Sequence, residues 1–169
     1  GLGTGEVRLA QGVFWGNLNN LWVGTRNAGA GGAGYGVFDA GAMTLSNLWI
    51  TNLAVGVNDG RGYVNFGGGT GVVVTTMNVG SSNGEGIITL NGTRLEINTG
   101  TATATNNGMI QLTNGATVAG SGLLTVYGTG SNSMGVLRSL GGTSTVTVAT
   151  RLGAPATVGV DAGNLVFGG

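Results

Sequence analysis

Any acid–base chemistry in this chain would have to come from its carboxylates. The sequence holds six acidic residues and six basic ones, all arginine, with no lysine, histidine or cysteine. Asp39, Asp59 and Glu85 are the candidates for a polysaccharide-cleaving pair, in which two carboxyls stand about 5–10 Å apart. Asp59 lies beside Arg61 in a glycine-rich turn, a position that Asp favours in its own right. Glu85 follows Arg61 by 24 residues. On stacked repeats Arg61 and Glu85 would make an opposite-charge surface pair worth at most about 1 kcal/mol. Arg94 and Glu96 share one strand face and read the same way. Without His or Lys the options for proton transfer are few, so the chain reads as a non-enzyme with no catalytic residue.

Other chemistries lack their residues. Zinc sites need Cys or His. Calcium-binding rolls repeat Gly-Gly-x-Gly-x-Asp, and the aspartates do not recur. Gly32 to Gly36 has no Gly-Lys-Ser/Thr after it and no helix pattern, so it does not make a phosphate loop. No metal and no cofactor is expected. The threonine runs Thr101 to Thr105 and Thr143 to Thr147 resemble ice-binding rows, but they do not recur at a common spacing and Thr favours strands anyway.

The elements that would position these residues come from a repeat. Leu53-Ala54-Val55-Gly56 returns as Met77-Asn78-Val79-Gly80, and Gly60-Arg61-Gly62-Tyr63-Val64-Asn65-Phe66 returns as Gly84-Glu85-Gly86-Ile87-Ile88-Thr89-Leu90, both after 24 residues. Glycines fall on glycines and apolar residues on apolar residues, which is the mark of stacked structural repeats. Leu21-Trp22-Val23-Gly24 and Gly34-Tyr35-Gly36-Val37-Phe38 form an earlier copy. It carries an inserted loop around Ala28 to Ala33, which repeat folds tolerate. Residues 1–20 read as a lead-in, 21–127 as the clearest repeats and 128–169 as looser ones, all in one domain.

Each repeat holds three strand-like pieces, near 53–56, 62–66 and 71–75. The predicted fold is all-β, a parallel β-helix (β-solenoid) with coils of about 22–26 residues and about three short strands per coil. Seven coils at the usual strand spacing would give a rod segment of roughly 34 Å. Alternation places Leu53, Val55, Val64, Phe66 and Val73 inside, above Met77, Val79, Ile88, Leu90 and Ile97 in the next coil. Tyr63 then points outward, and with Val37, Ile87 and Met109 it forms an apolar ladder along one face. Such a stripe is either an interaction site or is covered by another segment of the chain.

Composition fits this reading. Of 169 residues 38 are glycine, 41% are hydrophobic and only 7% are charged, with zero net charge. The absence of a basic patch argues against nucleic acid. Near-neutral surfaces favour association. No apolar run approaches the roughly 18 residues of a membrane helix, so the chain is not expected to be membrane-embedded. It opens on Gly1 and reads as a piece of a longer product.

The runs Leu53 to Gly56, Gly62 to Phe66 and Gly86 to Gly92 resemble the Gly-, Thr- and Val-rich repeats of bacterial autotransporter passengers, and are similar to the autotransporter-associated β-strand repeat proteins. The likeness spans roughly residues 21–127. It implies a secreted or surface-displayed β-helix that serves as a stalk, adhesin or fibre, although no membrane barrel and no signal sequence accompany it here. The function expected is structural: part of an extracellular fibre, filament, sheath or adhesin stalk, self-associating end to end or laterally, with surface glycans or other surface proteins as further partners. The alternative is a polysaccharide-binding or polysaccharide-cleaving β-helix.

Overall fold

The computed structural model describes residues 3–26 and 33–168. The inserted loop around Ala28 to Ala33 falls almost wholly outside them. About 65% of the chain is strand and it winds through about six turns of a β-solenoid. The first coil is β1 (Thr4–Arg8) and β2 (Val13–Val23), the second β3 (Tyr35–Ala40) and β4 (Thr44–Val55), the third β5 (Arg61–Phe66) and β6 (Val72–Val79). From there each coil has three strands: β7 (Glu85–Asn91), β8 (Arg94–Ile97) and β9 (Thr101–Thr105), then β10 (Gly108–Thr113), β11 (Thr117–Ala119) and β12 (Leu123–Gly128). After a 3-10 turn at Ser131–Ser133 follow β13 (Leu137–Gly141), β14 (Thr143–Val146) and β15 (Ala149–Ala156), and finally β16 (Val158–Val160) and β17 (Asn164–Phe167).

All pairings are parallel. One sheet of seven strands runs β1-β3-β5-β7-β10-β13-β16. Its six steps span about 29 Å at the usual spacing, a little less than the length expected from seven full coils. The second sheet stacks β2, β4 and β6, then divides. The first half of β6 pairs with β8 and its second half with β9. The three strand-like pieces expected in each coil are therefore real in the later coils, but in the earlier ones two of them are a single bent strand.

The bend explains one error of register. Val73 was expected inside, above Ile97; it stands outward and half-buried between Trp49 and Glu96, while Val72 and Val74 fill the core. The 24-residue step holds from Arg61 to Glu85 and from Leu53 to Met77. Across the bend it becomes 23, from Val72 to Leu95, and then 25, from Met77 to Ala102. The corner after Ile97 takes two residues more than the corner after Val74, so a constant period misplaces one strand by one residue and turns it over.

The other inward assignments hold. Leu53, Val55, Val64, Phe66, Met77, Val79, Ile88, Leu90 and Ile97 are all buried. Side chains stack in files along the axis. One file is Leu48, Val72, Leu95, Val118 and Val146. Rings of Phe14, Phe38 and Phe66 form another, with successive centroids 6.2 Å apart. Each such side chain contributes about 1.5–3 kcal/mol by burial. Residues 4–20, expected as a lead-in, already form the first coil, because β1 pairs with β3 and β2 with β4 along their lengths.

The repeated glycines are set by the corner between the sheets. Gly56 turns there with φ 61°, a left-handed conformation that glycine adopts without strain. A Cβ on Gly86 would fall within the van der Waals envelope of the Val55 carbonyl oxygen, and Gly62 and Gly108 meet Val23 and Val79 in the same way.

Candidate interaction surfaces

The outward ladder on the seven-stranded sheet has the expected register: Val37 pairs with Tyr63, Tyr63 with Ile87 and Ile87 with Met109. Its exposure differs from expectation. Val37, Tyr63 and Ile87 are half-buried, and Met109 is buried at 1% exposure. The Gln111 amide donates to the Met109 sulfur at 3.0 Å. The 3-10 turn packs on the neighbouring β7. This turn belongs to the insertion that stretches the step from Ile110 to Leu137 to 27 residues. Met109 therefore drops out of the stripe, which shortens to three residues.

Arg61 and Glu85 are paired across adjacent coils, Nε to Oε2 at 3.9 Å, with the arginine about two-thirds exposed. Screening leaves such a pair little energy. Glu85 has stronger partners. The Tyr63 hydroxyl donates to Oε2 at 3.0 Å and the Ser131 hydroxyl to Oε1 at 2.5 Å. Burial, and then the hydrogen bond to Glu85, push the Tyr63 phenol above its ordinary pKa. The carboxylate thus fastens the inserted turn onto the sheet. A shallow hollow of about 210 Å³ beside it is lined by Arg61, Asn83, Glu85, Asn107, Ser131 and Asn132, with no second carboxylate.

The remaining acids also meet arginines. Asp39 accepts from Arg8 at 3.2 Å and from the Asn65 amide at 3.1 Å. Asp59 pairs with Arg26 at 2.7 Å and Glu96 with Arg94 at 3.3 Å. The Arg138 Nε donates to Asp161 at 2.9 Å, and this bond holds the Asp161 carboxyl below its usual pKa. Among the described residues no three acidic side chains converge as a metal site would require. No described helix is long and apolar enough to cross a membrane.

Sequence reasoning missed a third surface. Trp15, Trp22 and Trp49, the chain's three tryptophans, are 74, 60 and 46% exposed. All three lie on β2 and β4, neighbours in one sheet. The sequence does carry a signal, in Trp15-Gly16-Asn17, Asn20-Leu21-Trp22 and Asn47-Leu48-Trp49. Each tryptophan has an asparagine two residues away, and period two puts both on one face. Sequence alone assigns the tryptophans to neither face, and only Trp22 falls within the recognised repeat, at the position of Ala54.

The fold defines the class of protein as a parallel β-solenoid. No protein-family model, curated protein or solved structure matches the chain.

Proposed function

We propose that the chain is a structural segment of an extracellular or cell-surface rod, serving as part of a fibre, sheath or adhesin stalk of the kind that autotransporter-like passengers form. The observation that carries this reading is the unbroken stack of parallel coils with inter-coil ladders from end to end. Its acidic side chains are engaged by arginines rather than gathered into a reactive cluster. Both terminal coils leave apolar side chains uncovered: Val7 and Val13 at one end, Val160 and Phe167 at the other. Open strand edges with apolar cross-sections accept a further coil. Either the same polypeptide or a second copy supplies it, and head-to-tail addition of copies gives an open filament.

Electron microscopy of the native material, with the intact mass of its subunit, tests this. Filaments built from a subunit near 16.6 kDa support assembly of copies, and filaments with a much larger subunit support a segment of one long rod. Discrete monomers of this mass overturn the fibre reading.

A further inference from the structure

We infer that the tryptophan face of β2 and β4 is a binding site for an uncharged polysaccharide. Five other rings contact one another, Phe14, Phe38 and Phe66 in a file and Tyr35 against Tyr63 at 5.7 Å, and Phe167 lies exposed on the terminal coil. Trp15 and Trp49 stand in solvent around one hollow on adjacent strands, and Trp22 stands in solvent further along β2, beyond its bend. Indole planes carry large contact area and dominate the energetics of the surfaces they join. Such a cluster outside a core is a recognition feature.

The polar groups around the rings indicate what is recognised. A hollow of about 350 Å³ is lined by Trp15, Asn17, Ser46, Asn47 and Trp49. A second of similar volume is lined by Trp22, Asn20, Asn52, Asn58, Thr76 and Asn78 among others. Along the second hollow runs a hydrogen-bonded row: Thr76 Oγ1 donates to Asn52 Oδ1 at 2.6 Å, and Asn52 Nδ2 donates to Asn20 Oδ1 at 3.0 Å. The row fixes the amides in advance, which lowers the entropy lost on binding. A pyranose has an apolar C–H face and a rim of hydroxyls that both donate and accept. Flat indoles flanked by carboxamides, which also donate and accept, complement both parts.

Charge narrows the ligand further. The ionised groups nearest the face are paired in place, Arg26 with Asp59 at 2.7 Å and Glu96, two coils beyond Trp49, with Arg94 at 3.3 Å. Nothing here selects for a uronate, sulfate or phosphate. The two hollows succeed one another along β2, one on each side of its bend, so a polymer of several sugar units reaches both where a single sugar fills one.

The test is affinity gel electrophoresis of the whole chain through hydroxyethylcellulose, β-glucan, dextran and galactomannan, with alginate as the anionic control and tryptophan fluorescence as a second readout. Trp15→Ala, Trp49→Ala, Trp22→Ala and the triple variant remove exposed rings, and circular dichroism checks that each keeps the sheet spectrum. The expected result is retardation in at least one neutral gel, persistence in about 0.5 M sodium chloride, and roughly tenfold weaker binding in single variants at Trp15 or Trp49. Several results overturn the proposal: no retardation in any neutral gel, equal retardation of the triple variant, retention by alginate alone, or a fluorescence response to denatured casein with none to any polysaccharide. A monomeric preparation is sufficient, so failure here is distinct from failure of the rod reading.

Discussion

At the scale of single residues, this fold is held by positions where only one kind of side chain fits. Gly86→Ala places a methyl group into the Val55 carbonyl, and neither strand can retreat without opening its ladder. We expect a loss of at least about 2 kcal/mol, read as a lower urea midpoint with unchanged m-value. Phe66→Ala, within the aromatic file, should cost about 3–5 kcal/mol by the same measurement. Thr93 shows the opposite sign. Its hydroxyl is buried without a partner, so Thr93→Val keeps the shape, removes the unsatisfied group and raises stability by about 1 kcal/mol.

Titration follows from the same residue-level contacts. With no histidine, melting temperature should stay nearly flat between about pH 5 and 9. Asp161 has its pKa lowered by the Arg138 hydrogen bond. Its contribution is complete above the ordinary carboxylate pKa and is lost as pH falls through the lowered one. Tyr63 has its pKa raised by burial and Glu85. Its contribution is complete below the ordinary phenol pKa and is lost as pH rises through the raised one. A thermal scan series across pH checks both limbs. The glycine columns were legible in the sequence because sterics leave no alternative to glycine. The tryptophans were harder to place, because the irregular register after Phe14 and the bends of β2 and β4 break simple alternation around them.

At the scale of elements, the inserted turn between β12 and β13 is a clasp whose catch is Ser131 on Glu85. Ser131→Ala should loosen the turn and speed amide exchange there, with little change in the core files; exchange protection measured residue by residue shows whether it does. The three residues left in the stripe give a separate outcome. Tyr63→Lys with Ile87→Lys should weaken any lateral association, visible by sedimentation as a shift to smaller species. Strand identity along the seven-stranded sheet was readable because Gly-x-Gly corners pin the start of β3, β5 and β7. The register of Val73 was not, since corner length is decided by packing of the bend, and two residues gained after Ile97 leave no mark in composition. The burial of Met109 was not legible either, since the 27-residue step from Ile110 to Leu137 breaks the repeat just there.

At the scale of the whole molecule, every inter-strand ladder is parallel and links a coil to its neighbours. The inter-coil hydrogen bonds therefore lie along the rod axis, and tension applied between its ends loads them in series rather than in shear. Coils should detach one at a time from whichever end is held. Each coil of 24 residues, as between Arg61 and Glu85, occupies about 4.8 Å of the folded rod and releases about 80 Å of extended chain. The rod is thus stiff under sideways load yet lengthens more than tenfold per coil under steady pull. A stalk with that response would keep its tip attached through sudden drag by yielding in increments, and a force-extension trace would record it as a regular series of small, evenly spaced steps.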